Sequence, residues 1–565
     1  MRHLRYYPLF AALLPYACQS DFALPEATSS GFVVVGTANS GLEFNNLITE
    51  SDSFNYFTYP YLFLGAGVAA GDFDGDGATD LFFTGNQVAN RLYRNLGNLQ
   101  FEDVTEVAGV AAPNNWCTGV TTLDVNTDGH LDLYVATAGA GAPTANLLYV
   151  NQGDGTFVEQ AAAYVLAEKN HSIQATAFDF DLDGDQDLFV ANYANVPVSQ
   201  GNEFYDRKMR ENNPAESGQL YRNNGDGTFT NHTDAAGLRR FGLTLGLIAT
   251  DFNADGHTDL YLSNDFNVPD YFFLNQGDGT FREALASSFP HTAMFGMGID
   301  AGDINNDGHP DLIQLDMTPA DYRKAKTNMA SMRPASFYRA VSLGFHYQYM
   351  QNALQLHRGV DVNGTPHFTD ISRFSGTATT DWSWGALLED LDNDGFQDLF
   401  VTNGMKRDVN DNDVNASYNE GNFFSDNKSR DYRLLPSHPV GNFAFRNQGD
   451  LLMEDVSERW RANQAGFSQG FIAADLDGDV FEDGFLLFGG EFVGGSPAWE
   501  AGGGAELGVE GEVVDFDDGA VGGVGEGMTV FVEFLDGGDE FVEGGGVFVP
   551  GGGAETAGGE ELVEG

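Results

Sequence analysis

A nine-residue pattern, D-x-[DN]-x-D-G-x-x-D, begins at Asp72, Asp124, Asp179, Asp251, Asp303 and Asp390, and an altered seventh copy begins at Asp475. The spacings are 52, 55, 72, 52, 87 and 85 residues. Internal repetition constrains a fold more than any other sequence feature, because each unit must bury its apolar face against its neighbours. The base unit is the 52-residue spacing, and the longer spacings place insertions in the third, fifth and sixth units.

Each copy has the same surroundings. A Gly-containing apolar run precedes it, such as Leu64-Gly65-Ala66-Gly67-Val68 or Phe295-Gly296-Met297-Gly298-Ile299. A short strand signal follows, such as Leu81-Phe82-Phe83, Leu133-Tyr134-Val135 or Leu399-Phe400-Val401. Next come an Asn-x-Leu-Tyr-type strand (Asn90 to Asn95, Asn146 to Asn151, Gln219 to Asn223) and a Gly-Asp-Gly-Thr-Phe turn into a fourth strand. Four short strands per unit mark a propeller blade. The expected fold is all-β, a seven-bladed β-propeller over residues 31–500. A β-sandwich would not repeat one loop sequence seven times, and the strand chemistry excludes a helical solenoid. The seventh repeat has strand signals near 471–474, 485–488 and 497–500 but no following turn. Phe32-Val33-Val34-Val35-Gly36 resembles the fourth strand of the first unit, so residues 32–36 are expected to complete the seventh blade beside 485–500.

Carboxylates packed at alternate positions of one loop repel each other unless they converge on a cation. Calcium (Ca2+) fits best, since it takes six to eight oxygens in loose geometry. The expected ligands of the first loop are Asp72, Asp74, Asp76 and Asp80, with the carbonyl of Ala78 and water completing the shell. The equivalent sets are Asp124, Asn126, Asp128 and Asp132; Asp179, Asp181, Asp183 and Asp187; Asp251, Asn253, Asp255 and Asp259; Asp303, Asn305, Asp307 and Asp311; Asp390, Asp392, Asp394 and Asp398; and, in the altered copy, Asp475, Asp477, Asp479 and Asp483. Position six is Gly in the first six loops and Val480 in the seventh, where the turn favours a residue that tolerates positive φ. An EF-hand would need Glu at position twelve and flanking helices; here position nine supplies the last acid and a strand follows. The Asn-bearing loops are expected to bind calcium less tightly than the all-Asp loops.

Asp plus Glu number 83 against 27 Lys plus Arg, a formal net charge of −56. Such a chain repels phosphate backbones, which excludes nucleic acid as a partner class. Cys18 and Cys117 are the two cysteines, too few for a disulfide framework. Arg2 and Arg5 precede a short apolar run ending near Leu14, which reads as an export signal over residues 1–17, with a linker over 18–30. Leu14-Pro15-Tyr16-Ala17-Cys18 loosely matches a lipoprotein cleavage site. Lipidation at Cys18 would make this an outer-membrane or cell-surface lipoprotein, with the lipid anchor its one membrane contact; plain secretion is the alternative. Cys117 is expected to be a buried, inert thiol.

These motifs resemble the FG-GAP/VCBS repeat family, whose blades are like those of the integrin α-subunit propeller. The closer resemblance is to bacterial exported proteins that pair such repeats with a C-terminal ASPIC/UnbV domain. It is carried by Gly41-Leu42-Glu43-Phe44-Asn45-Asn46, Thr380-Asp381-Trp382-Ser383-Trp384-Gly385 and Thr402-Asn403-Gly404-Met405-Lys406-Arg407-Asp408. The resemblance implies a calcium-binding propeller and carries over no catalytic residue. Residues 501–565 form an acidic, Gly-rich tail in which Val524 to Val532 resembles a degraded or truncated ASPIC/UnbV domain, a natural disordered tail being the alternative.

Insertions on a rigid scaffold commonly carry binding. The one from Pro319 to Gln351 is expected to be helical and holds a basic cluster, Arg323, Lys324, Lys326, Arg333 and Arg339. It reads either as an internal ion-pair partner or as a patch for an acidic glycan or protein. Asn202 to Pro214 and Asn403 to Asn415 are expected to line the same face, and Trp382 and Trp384 could stack a sugar ring. The favoured function is a non-catalytic surface adhesion or glycan- or protein-binding scaffold. The alternative is a polysaccharide lyase or hydrolase, with His346, Tyr347, Tyr349 and Arg323 as its candidate groups.

Overall fold

The structure is a computed structural model that describes residues 32–139, 141, 144–197, 200–328, 334–414, 416, 431–476, 486–487 and 530–533. Six four-stranded antiparallel sheets follow one another along the chain. Blade one is Val68–Gly71, Asp80–Phe83, Arg91–Asn95 and Phe101–Asp103. Blade two runs from Cys117–Leu123 to Phe157–Glu159, blade three from Ser172–Phe178 to Phe229–Asn231, and blade four from Thr244–Thr250 to Phe281–Glu283. Blade five runs from Ile299–Gly302 to Pro366–Asp370 and blade six from Ser383–Glu389 to Met453–Asp455. The second strand of every blade is buried at every residue, because neighbouring blades cover both of its faces. The fourth strand buries its Phe or Met and, in most blades, exposes the next two residues, the alternation expected at an outer edge.

The expectation of seven blades is therefore corrected to six. The seventh repeat still occupies a place in the ring. A central channel of about 280 Å³ is lined by one segment from each blade and by Gln469, Gly470 and Phe471. Glycines fix this close approach: a Cβ on Gly67 would meet the backbone of Gly119 and Val120, one on Gly385 would meet the Phe471 ring, and one on Gly470 would meet the carbonyl of Ala66. The contact from Gly470 back to Ala66 closes the circle.

What the seventh position lacks is a blade of its own repeat. Its sheet has three strands drawn from distant segments, Phe32–Val35, Val530–Glu533 and Leu486–Leu487. Phe32–Val35 pairs antiparallel with Val530–Glu533, not directly with 485–500 as expected, and Val530–Glu533 pairs in turn with Leu486–Leu487. The expected strand at 497–500 lies outside the described residues. Phe32 packs edge-on against Phe400 and Trp460 of the sixth unit, while Leu42 and Phe44 join the core of blade one. The N-terminal segment thus spans the join between first and last blades.

The Pro319–Gln351 insertion carries two short helices, α2 (Tyr322–Thr327) and α3 (Pro334–Ser342), and a two-residue strand at Gln348–Tyr349; α1 (Asn202–Glu211) comes from the blade-three insertion. Asn202 Nδ2 donates to the Ser336 carbonyl and Arg339 pairs with Glu203, so α1 and α3 meet over one face of the ring. Cys117 is fully buried and its thiol is pushed up to about 12, which makes it inert. Cys18 lies outside the described residues. Among the described residues no helix is long and apolar enough to cross a membrane.

Candidate metal centres

All six loops share one backbone trace. The position-one Asp ties its own loop together: Asp72 Oδ1 accepts from the N–H of Asp76 at 3.1 Å and Oδ2 from Gly77 at 2.9 Å. The same pair recurs at Asp124, Asp179, Asp251, Asp303 and Asp390. Position six is Gly at φ between 85° and 95° in each loop, as its sequence implied. Position four is also left-handed, and there glycine occurs once, at Gly75; Thr127, Leu182, Ala254, Asn306 and Asn393 hold φ of 54° to 59°. Left-handed backbone at non-glycine residues costs of the order of 1–2 kcal/mol each, so the surrounding loop must over-determine it.

Position nine is the buried anchor. In loop one Asp80 Oδ2 accepts from Phe73 N at 3.1 Å and Oδ1 from Asn95 N at 2.8 Å. Asp132, Asp187, Asp259, Asp311 and Asp398 repeat this with Asn151, Asn223, Asn275, His357 and Asn447. Burial pushes these carboxyls up to about 6 in Asp80 and Asp132, about 7 in Asp187 and Asp311, and about 8 in Asp259 and Asp398. Neighbouring loop carboxylates add to the effect of burial. A divalent cation reverses both causes, since it supplies the missing positive charge.

The donor set fits such a cation. Oxygens of Asp72, Asp74 and Asp80 lie within 4.8 Å of one another, as do those of Asp179, Asp181 and Asp187 and those of Asp390, Asp392 and Asp398. That span is about twice a calcium–oxygen bond of ~2.4 Å. Asp181 Oδ1 and Asp392 Oδ1 are buried without a hydrogen-bond partner, which leaves each an acceptor for a metal. In the other three loops an Asn stands at position three. Of the seventh loop Asp475 is described; Asp477, Asp479 and Asp483 lie outside the described residues.

Two features escaped the sequence reading. The first is a ladder of side chains between blades. Asn151 Nδ2 of blade two donates at 2.8 Å to the carbonyl of Phe73, position two of the preceding loop. Asn223 reaches Val125, Asn275 reaches Phe180, His357 reaches Phe252 and Asn447 reaches Ile304. Asn95 of blade one reaches Leu476, position two of the seventh loop, across 381 residues of chain. Loops one to five and the seventh loop are therefore also clasps holding the next blade. The signal was visible in the Asn that ends the third strand of every blade but the fifth, where His357 takes its place.

The second feature is an exchange of charge partners. Where position three is Asp, the third strand carries Arg just before its terminal Asn: Arg94, Arg222 and Arg446. Arg222 bonds Asp181 and Asp183 at 2.6 and 2.9 Å, and Arg446 bonds Asp392 and, at 2.8 Å, Asp394; Arg94 turns to Glu102. Where position three is Asn, that strand position is Val150, Leu274 or Leu356. There the Asn amide donates to the position-five carboxylate, from Asn126 to Asp128, Asn253 to Asp255 and Asn305 to Asp307. In loops two to six, one device or the other gives the loop carboxylates a partner within the protein.

The basic cluster does not gather into one patch. Lys324 bonds Asp381 at 2.7 Å, Arg339 bonds Glu203 at 2.8 Å, and Lys326 lies over the Tyr322 ring. Arg323 stands on exposed α2, and Arg333 lies outside the described residues. Trp382 and Trp384 stack on each other at 6.3 Å, and Trp384 Nε1 donates to the Gly404 carbonyl. Both face a pocket at the channel mouth. Of the four candidate catalytic groups, His346 lines that pocket, whereas Tyr347 and Tyr349 are exposed around Phe337.

An FG-GAP-like repeat model matches residues 72–135, 124–190, 211–262 and 251–313. The chain is 26% identical over 228 residues to cartilage acidic protein 1 of Mus musculus, covering 40% of this chain and 33% of that protein. The Homo sapiens protein is 27% identical over 228 residues, with coverages of 40% and 32%. The Xenopus tropicalis protein is 26% identical over 207 residues, with coverages of 35% and 29%. The matched region spans about a third of the length of these curated relatives.

Proposed function

Because the chain is an FG-GAP-repeat β-propeller of the ASPIC/UnbV group, to which cartilage acidic protein 1 is homologous, we propose that it is an exported, calcium-bound scaffold that binds a glycan or protein without chemical turnover. The observation that carries the calcium half is one loop geometry repeated six times around a buried, desolvated Asp, with three carboxylates brought within 4.8 Å of one another in three of those loops. Asp72, Asp74, Asp76 and Asp80 and their counterparts would hold the ions, whose charge would quench the repulsion within each loop. Calcium would then stiffen the ring on which the insertions sit.

The scaffold half rests on the insertions, which gather over one face while the loops are spent on structure. The relatives' names are not those of enzymes. Localisation at a bacterial surface, by a Cys18 lipid or by secretion, belongs to the same proposal. A glycan and protein array probed with calcium and with chelator tests it, followed by turnover assays on each hit. Calcium-dependent binding with the ligand recovered intact is the expected result; a hit that is cleaved would place the protein among the enzymes.

A further inference from the structure

The insertion-bearing face holds a pocket of about 430 Å³ that touches the mouth of the central channel. That is a volume suited to a small organic ligand. Its walls are aromatic and sulfur-rich: Tyr56, Tyr61 and Tyr205 stand with Phe266, Phe337 and Trp382, and Met294, Met297, Met317, Met350 and Met405 fill between them. Among the described residues no Lys or Arg lines it. Its wall carries one carboxylate among the described residues, Asp265, which is 6% exposed.

Three buried carboxylates in this part of the ring invite comparison. Asp316 is fully used by the backbone, accepting from Met294 N, Phe295 N and Met317 N at 2.7–3.0 Å. Asp270 accepts from Asn264 N, Tyr261 Oη and Gln314 Nε2 at 2.7–2.8 Å. Those two are structural. Asp265 has one good donor, Phe266 N at 2.7 Å, and its other oxygen has Tyr193 Oη at a long 3.4 Å. Burial pushes its carboxyl up to about 7, and among the described residues no cation pairs with it to offset that cost. Two more polar atoms of the wall, Trp382 Nε1 and His346 Nε2, are buried without a partner. Natural interiors rarely leave several such groups unpaired around one apolar space unless something else completes them.

We propose that this pocket binds a small organic cation, an ammonium group on an apolar or aromatic body, with the ammonium at Asp265 among the tyrosine and tryptophan rings and a hydroxyl or carbonyl oxygen farther along meeting Trp382 Nε1. Aromatic faces attract cations, and a desolvated carboxylate gives the charge its counter-ion. The strongly acidic chain raises the local concentration of such ligands. A sugar, the ligand expected for Trp382 and Trp384, offers no positive charge to meet the buried carboxylate of Asp265. The inference rests on reading this face as the binding face and does not require that the loops hold calcium.

The test uses the full chain in calcium, titrated with benzyltrimethylammonium and with its neutral isostere neopentylbenzene, read by calorimetry and by tryptophan fluorescence. The cation is expected to bind at least tenfold more tightly than the isostere. Asp265→Asn is expected to remove that preference while leaving isostere binding unchanged. Met405→Trp, which fills the pocket and keeps the carboxylate, is expected to abolish binding of both and covers the case in which Asp265→Asn does not fold. Equal binding of the two probes, or binding of neither, overturns the proposal, as does a cation preference that survives Asp265→Asn. Loss of the calcium effect on melting would count against the loops and leave this result untouched.

Discussion

Replacing Asn151 by Ala removes one rung of the ladder between blades and should destabilise the protein by about 3 kcal/mol. The Asn151 side chain makes three hydrogen bonds: Nδ2 to the Phe73 carbonyl at 2.8 Å, Nδ2 to the Leu131 carbonyl at 3.1 Å, and Oδ1 from Gly153 N at 2.9 Å. Each contributes about 1 kcal/mol net, and a buried carbonyl left unpaired costs ~1–3 kcal/mol. Its backbone N–H, which donates to Asp132, survives the change. Urea unfolding of the calcium-loaded protein reads the loss, with Asn224→Ala as an exposed control expected to stay within about 0.5 kcal/mol. Hydrogen exchange gives the sharper readout. Protection should fall in loop one, at Phe73 and Gly77, and not in blade two alone. A loss below about 1 kcal/mol, or exchange confined to blade two, would refute the clasp.

Asp80→Ala should cost more stability than Asp74→Asn, because Asn keeps a donor oxygen while Ala removes the buried anchor of Phe73 N and Asn95 N; equal losses in thermal melts would contradict the assigned roles. Arg446→Met should lower the melting temperature in chelator, by unmasking Asp392 and Asp394, yet leave it near wild type in saturating calcium; the reverse pattern would show that Arg446 does not stand in for the ion. The position-nine carboxyls, raised to about 6–8 against ~3.9 in an unfolded chain, hold protons more readily when folded. Their contribution to the stability of the metal-free protein therefore rises as pH falls from about 8 toward 4, while calcium, which needs the ionised form, binds more weakly over the same window. Melts at pH 8 and pH 5 should show the gap between calcium and chelator shrinking in acid, and a widening gap would contradict this.

The blade chemistry was legible because it is local: Gly-Asp turns, strand runs and alternate acids lie within one unit and recur. The blade count was not. Pairing of Phe32–Val35 with Val530–Glu533 joins segments almost 500 residues apart, and such pairing leaves no local pattern. The acidic loops and their position-six glycines were readable from the repeats, but Leu182 and Thr127 carry no mark of the left-handed backbone they adopt. The Arg and Asn exchange needed the register that sets Arg222 and Arg446 over their loops. The pocket was hidden for a similar reason, since Asp265, Phe337 and Trp382 come together through insertions whose path the repeats do not dictate.

Calcium dependence of the melting transition, paired with a count of bound ions, tests the central claim most directly. One site occupied at a hundredfold excess over Kd adds about 2.7 kcal/mol, so several sites together match the ~5–15 kcal/mol of a typical fold. Equilibrium dialysis of the full chain should find about six calcium ions, one for each intact loop. Chelation should lower the melting temperature strongly, with poor rescue by magnesium. No calcium retained, with a melting curve unchanged by chelator, would contradict the account.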